Sequence, residues 1–280
     1  MHRRGLILDI DNTLYSWVDA FLPSFRAMVN KIAKETSVSE LEITNDFKNV
    51  YREYGTVEYP FAASELALWV KYGFEEADRA RISNSAKKVF SIIYRRNLVL
   101  YPEVRQVLRW AAAEGVVIVG LSDALERWIC FRLRILGIDK YFAGLYTWHK
   151  DPWFAGKTPL RTSIQRRVRL NSSELKPNKA VVERVLRDFQ LDRNRTLMVG
   201  DSIRKDIRAA QLAGVADIWA RYGTVSLERN IETLRQITPW GATGEPADLA
   251  GAPPIEPTNT INHFSELMGL IETERISLFD

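Results

Sequence analysis

The chain has 280 residues, 46% of them hydrophobic and 26% charged, with a net charge of +4. That is the balance of an ordinary globular protein of one large or two modest domains, and it excludes a disordered or fibrous chain. No apolar run is long enough to span a bilayer, and the mild positive excess does not by itself imply nucleic acid. A lone cysteine, Cys130, excludes an intrachain disulfide and a thiolate metal cluster, which fits a reducing cytoplasm.

Met1 to Arg4 is basic but leads straight into Leu6-Ile7-Leu8, which leaves no room for a cleavable signal. That apolar triplet reads as a buried parallel strand. It stops at Asp9 and Asp11, with Thr13 two positions further on. Carboxylates at the end of a buried strand are costly unless a metal or hydrogen bonds compensate them. The carboxyl ends of strands in an open α/β sheet are also where ligands bind.

From Trp17 to Asn97 the pattern predicts an all-helical insert. Phe21, Phe25, Met28, Val29 and Ile32 recur as one helix face does. Ser39 with Glu42 reads as a capping box, and Gly55 as the end of that helix. Further helices are expected around Leu66–Val70 and Val89–Tyr94. The many aromatics of this insert are read as core rather than as a ring-stacking surface.

At Tyr101-Pro102 the register changes. A helix is expected from Pro102 to Glu114, ended by Gly115. Val116 to Leu121 reads as a second buried strand that stops at Ser122-Asp123, followed by a helix to Leu136 and a strand from Tyr141 to Tyr146. Strand, helix, strand at this spacing is a βαβ unit and implies a parallel sheet. Thr147 to Ser173 is read as irregular, with Trp148, Trp153 and a basic run from Arg161 to Arg169. Lys176-Pro177 is expected to open a helix, and Thr196 to Val199 to form a strand stopping at Gly200-Asp201-Ser202. A helix through Asp206, a strand from Ala216 to Ala220, a surface loop from Pro239 to Pro257 and a closing helix from His263 to Ile271 complete the reading.

Parallel strands bring their carboxyl ends to one rim. Asp9, Asp11, Ser122, Asp201 and Asp206 should therefore converge, although Asp9 and Asp201 stand 192 positions apart. Four carboxylates on one rim repel at low dielectric, and a hard divalent cation with oxygen ligands relieves this. Mg²⁺ shared between carboxylates and a substrate phosphate is the expected case.

The order of these motifs resembles the haloacid dehalogenase superfamily, in its phosphatase branch. Asp9-Ile10-Asp11-Asn12-Thr13 is similar to its first motif, Ser122 to the second, Lys176-Pro177 to the third, and Gly200 through Asp206 to the fourth. The resemblance covers about residues 5 to 222. It implies a Rossmann-like parallel sheet flanked by helices, with a helical cap inserted after the first strand. The expected core is 1–15 with 98–280, the expected cap 16–97, and Tyr15 and Trp17 lie at the hinge. The family's dehalogenases lack the second aspartate, so Asp11 argues for phosphoryl chemistry.

The resemblance further implies the roles. Asp9 is the nucleophile and Asp11 the general acid and base. The side chains of Asp9 and Asp201 and the carbonyl of Asp11 hold Mg²⁺. Ser122, the Asp123 amide and Lys176 hold phosphoryl oxygens, and Thr13 and Asp206 support them. The expected activity is hydrolysis of a small phosphorylated metabolite by a cytoplasmic enzyme without membrane contact, monomeric or homodimeric. One departure from the pattern is the spacing of 54 positions between Ser122 and Lys176, which makes the stretch 147–173 an excess.

Other readings are weaker. Gly120 to Ala124 is a nucleophile-elbow pattern with His263 as base, but Ala124 replaces its second glycine and the aspartates stay unexplained. Gly156-Lys157-Thr158 ends like a phosphate-binding loop, but Asp151 stands where that motif needs glycine. A phosphomutase would use the same aspartate pair. A nucleic-acid-binding module would use Arg161 to Arg169, although a solvated basic face is the simpler account.

Overall fold

The computed structural model describes residues 3–149, 153, 161–239 and 255–276, the last four by backbone only. These residues form two compact units: 3–16, 99–225 and 255–276 in one, 17–98 and 226–239 in the other.

The first unit holds one seven-stranded parallel sheet. Its strands are β1 (Arg3–Leu8), β2 (Val117–Leu125), β3 (Gly144–Trp148), β4 (Arg166–Leu170), β5 (Leu191–Gly200), β6 (Ala216–Ala220) and β7 (Asn259–Ile261), in the spatial order β4-β3-β2-β1-β5-β6-β7. The central strand β1 is apolar at every residue from Leu6 to Leu8 because both sheet faces are covered. On one face, Ile7, Val119, Leu121, Tyr146 and Met198 pack against Val181, Val182, Val185 and Leu186 and against Ala209, Ala210 and Ala213. Each large apolar side chain buried this way contributes about 1.5–3 kcal/mol.

The helices are numbered in chain order. The second unit contains α1 (Trp17–Thr36), α2 (Glu40–Tyr54), α3 (Leu68–Lys71) and α4 (Glu76–Asn97). The hydroxyl of Ser39 accepts the Glu42 N–H at the start of α2, and Gly55 closes it in the left-handed conformation. The sheet carries α5 (Val104–Ala113), α6 (Glu126–Ile135), α7 (Lys179–Phe189) and α8 (Arg208–Ala213). They are followed by α9 (Val225–Arg229), α10 (Ile231–Ile237) and α11 (Leu267–Ile276).

Three differences from the sequence reading have physical causes. The segment from Ser226 was expected with the sheet but groups with the helical unit. There α10 packs on α2 with Leu234 and Ile237 buried, Lys48 Nζ donates to the Arg235 carbonyl at 2.7 Å, and Ser226 donates to Asp19 at 2.7 Å. Next, Arg166 to Leu170 is strand β4 rather than irregular chain. Val168 and Leu170 are its inward residues, Arg167 and Arg169 take the opposite face, and Arg166 stands exposed at the start of the strand. Finally, Lys176-Pro177 does not open α7. Asn178 is the N-cap, accepting the Ala180 N–H at 2.9 Å, and the helix starts at Lys179. The pattern around Gly156 and most of the loop expected from Pro239 to Pro257 lie outside the described residues.

Candidate active site

Sheet register sets the site. Leu8 of β1 stands level with Gly120 of β2 and with Val199 of β5. Asp9, Ser122 and Asp201 therefore stand within one position of each other along the sheet, and the Asp9 N–H donates to the Val199 carbonyl at 2.9 Å. Beyond Asp9 the chain turns at Asn12, which adopts φ 61°. Asparagine tolerates that left-handed conformation better than most residues. The turn returns the Thr13 hydroxyl to donate to Asp9 Oδ2 at 2.9 Å.

The fourth motif folds back on itself through a π-helical turn, Ile203–Ile207. Its start is held by Ser202, whose hydroxyl accepts the Lys205 N–H at 3.3 Å. This brings Asp206 over Gly200. A Cβ on Gly200 would lie 2.2 Å from Asp206 Cγ, so only glycine lets the carboxylate through. Asp206 Oδ2 accepts the Ser202 N–H at 3.1 Å. The Asp201 carbonyl accepts the indole N–H of Trp219 at 2.8 Å.

Lys176 joins the two halves. Its Nζ donates to Asp9 Oδ1 and to Asp206 Oδ1, both at 2.6 Å. Asp9, Asp206 and Lys176 are only 6%, 1% and 5% exposed, so these charges face each other with little water between them. Burial raises the Asp9 carboxyl above its usual range, against the pull of Lys176. Burial, then Asp9 and Asp206, push Asp201 well up. Asp206 is pushed up to about 7 by burial, against Lys176. Burial alone would lower the Lys176 ammonium, but Asp206, Asp9 and Asp123 outweigh it and hold it well above its usual value.

Carboxylate oxygens of Asp9, Asp201 and Asp206 lie within 4.8 Å of one another. When ionised, these three carboxylates outnumber the Lys176 ammonium that they face. Buried oxygen ligands carrying that excess fit a hard divalent cation.

The other expected site residues sit around this centre. Ser122 is buried and its hydroxyl accepts the Ala124 N–H at 3.1 Å. The Asp123 carboxylate accepts the backbone N–H of Lys176 at 3.0 Å and the Lys205 ammonium at 3.1 Å. Asp11 accepts from the Tyr15 hydroxyl at 2.6 Å, and Arg132 Nη1 stands 3.1 Å from each of its oxygens. Neither the Arg132 nor the Lys205 partnership was foreseen. Lys205 lies inside a recognised motif but shows no partner in the sequence. Arg132 is one of three arginines on α6 and reads as a surface residue, yet it is only 4% exposed.

In the basic run, Arg166 pairs with Asp188 at 2.8 Å, and Arg167 and Arg169 pair with Glu126 at 3.2 and 2.9 Å. These three arginines are thus committed to carboxylates of their own chain.

Residues 4–214 match the family model of haloacid dehalogenase-like hydrolases. A phosphoglycolate phosphatase of Pseudomonas fluorescens is 25% identical over 180 residues, covering 59% of this chain and 58% of that protein. A second, from another strain of that species, is 29% identical over 125 residues, 45% of this chain and 38% of its own length. The chain thus matches well under two thirds of either phosphoglycolate phosphatase. The glyceraldehyde 3-phosphate phosphatase of Pyrococcus abyssi is 27% identical over 200 residues, 67% of this chain and 76% of that one. Among solved structures, a HAD phosphatase from Thermococcus onnurineus superposes with a TM-score of 0.55 at 13% identity, covering 96% of this chain and 97% of that one. A 2-haloacid dehalogenase from Pseudomonas syringae gives 0.53 at 17%, covering 98% and 99%. At such identities the two structures bear on the fold alone.

Proposed function

The chain belongs to the haloacid dehalogenase-like hydrolase family, and on that premise we propose that it is a Mg²⁺-dependent phosphatase acting on a small phosphorylated metabolite. The observation that carries the reading is Lys176 held between Asp9 and Asp206, with a second carboxylate, Asp11, two residues after Asp9. Relatives named for phosphoglycolate and glyceraldehyde 3-phosphate support the substrate class.

In this reading Asp9 attacks phosphorus and the bond to the ester oxygen breaks, which leaves an aspartyl-phosphate. Asp11 gives its proton to the departing oxygen, then takes one from the water that releases phosphate. Lys176 orients Asp9 and offsets charge on the phosphoryl oxygens, and Ser122 and the Asp123 amide complete their cradle. Thr13 fixes the second Asp9 oxygen, and Asp206 fixes Lys176. Asp9 and Asp201 with the Asp11 carbonyl would hold Mg²⁺, and Asp206 lies close enough to reach it directly or through water. Bound there, the ion would neutralise charge on the transferring phosphoryl group. The resemblance assigns the helical unit the part of a substrate-selecting cap, and we adopt that assignment.

A panel of two- and three-carbon phosphomonoesters, with an aryl phosphate as control, tests the activity. Phosphate release that needs Mg²⁺ is the expected result. Sugar-phosphate isomerisation without release would identify a mutase. Salt-sensitive RNA binding with no turnover would identify a binding module.

The raised carboxyls also predict how the metal acts on stability. Asp206 sits near 7 in the folded chain against an ordinary 3.8, so folding binds its proton. Its contribution is fully present below 3.8 and is lost as pH climbs through about 7. Metal-free protein should therefore melt lower at pH 8 than at pH 5. Mg²⁺ replaces those protons and should restore most where most has been lost. At about a hundred times Kd, binding adds about 2.7 kcal/mol, which raises the melting point by about 5 to 10 °C. We expect such a rise at pH 8 and almost none at pH 5 in fluorimetric melts. Equal rises at both would show that these carboxylates are not the ligands.

A further inference from the structure

We propose that Asp123 positions Lys176 by accepting its backbone N–H, while Lys205, through its charge, keeps the Asp123 carboxylate from repelling an anionic substrate at the phosphoryl end of the site. The proposal deepens the phosphatase reading and rests on it.

Five residues close a ring of hydrogen bonds. Asp123 Oδ1 accepts the backbone N–H of Lys176 at 3.0 Å, and Lys176 Nζ donates to Asp206 Oδ1 at 2.6 Å. Asp206 Oδ2 accepts the Ser202 N–H at 3.1 Å, and the Ser202 hydroxyl accepts the Lys205 N–H at 3.3 Å. Lys205 Nζ then donates to Asp123 Oδ2 at 3.1 Å, which closes the circuit. The ring ties the end of β2, the segment before α7 and the π-helical turn into one piece. Its members come from three of the four motifs, and the remaining motif is attached through Asp9, which Lys176 also holds.

Four of the five links involve either a backbone N–H or the buried Lys176 ammonium. The fifth is an ion pair at the half-exposed margin, with side chains 18% exposed for Asp123 and 31% for Lys205. This link does two separable things. As an acceptor, Asp123 fixes the backbone of Lys176, and an amide oxygen would do that equally well. As a charge, it adds a further carboxylate to those of Asp9, Asp11, Asp201 and Asp206, where a phosphoryl dianion is to bind. Lys205 cancels that charge at its source. Its own backbone N–H is held by Ser202, so its ammonium starts from a fixed point.

The two roles predict an asymmetry. Lys205→Met leaves Asp123 charged and unpaired, whereas Asp123→Asn removes the charge and keeps the acceptor. The double variant should therefore be better than Lys205→Met alone. An interaction of that sign is what a double-mutant cycle isolates.

The experiment is titration calorimetry of the full chain with inorganic phosphate in Mg²⁺ buffer, for the wild type and four variants. Lys205→Met is expected to weaken phosphate binding about tenfold, within the range seen for directly contacting residues. Lys205→Arg keeps the charge and should stay within threefold of wild type. Asp123→Asn/Lys205→Met should bind phosphate at least threefold more tightly than Lys205→Met alone, and Asp123→Asn completes the cycle. Melting curves identify any variant that fails to fold, in which case Lys205→Gln replaces Lys205→Met. The proposal is overturned if Lys205→Met binds phosphate as tightly as wild type, if the double variant binds as weakly as Lys205→Met, or if wild type binds no phosphate. Aryl phosphate turnover is read in parallel. Its absence in a wild type that binds phosphate would refute the phosphatase reading and leave the cycle's result on charge intact.

Discussion

Asp9→Asn is expected to abolish phosphomonoester hydrolysis, a loss of about four orders of magnitude or more, as for other enzymes deprived of their nucleophile. The amide cannot form the acyl-phosphate bond, yet it is nearly the same shape. Its oxygen can still accept from Lys176 or Thr13, the two donors that now hold the carboxylate at 2.6 and 2.9 Å. The substitution should therefore leave the folded chain intact in circular dichroism. It also removes one of three clustered carboxylates, so Mg²⁺ binding by calorimetry should weaken. Near-normal turnover of the best substrate by Asp9→Asn would mean that another group attacks phosphorus.

The second large effect is expected at Asp11. Asp11→Asn should cost two to four orders of magnitude in kcat, the usual size for a lost general acid. Tyr15 and Arg132 would still find an oxygen to donate to, so the loss would report proton transfer rather than collapse of the loop. The penalty should depend on the leaving group. An aryl phosphate departs as a weakly basic phenolate and needs little protonation, whereas an alkyl phosphate departs as an alkoxide and needs it fully. Asp11→Asn should thus cost the aryl substrate at least tenfold less, within that same range of general-acid effects. Equal losses for both substrates would remove Asp11 from the acid's role.

What the sequence made legible follows from what a buried parallel sheet requires. Leu6 to Leu8, Val117 to Leu121 and Leu197 to Val199 had to be apolar across both faces, so the polar residue that ends each run marks the rim. Partnerships across the rim were not legible. Arg132 and Asp11 are 121 positions apart, and nothing in the local pattern of α6 distinguishes a buried arginine from a solvated one. Strand β4 was hidden because Arg166, Arg167 and Arg169 mask an alternation that only Val168 and Leu170 carry. The return of α10 to α2 was hidden for the same reason as the ring through Lys205. Both depend on residues far apart in the chain, and such pairing leaves no periodic trace.

The arginines of β4 have a consequence for how this chain behaves among copies of itself. As ion pairs at a half-exposed surface they contribute under about 1 kcal/mol each to stability. Their place matters more, because among the described residues β4 is the outermost strand of its side of the sheet. An edge strand offers unpaired backbone groups that invite a second chain to continue the ladder, and charged side chains are a recognised deterrent. Here a docking strand would have to crowd Arg166, Arg167 and Arg169 and disturb their bridges to Asp188 and Glu126. The opposite edge, β7, is three residues long and offers little to template on. Growth of the sheet into aggregates is thus discouraged at both ends, by charge on one and by brevity on the other.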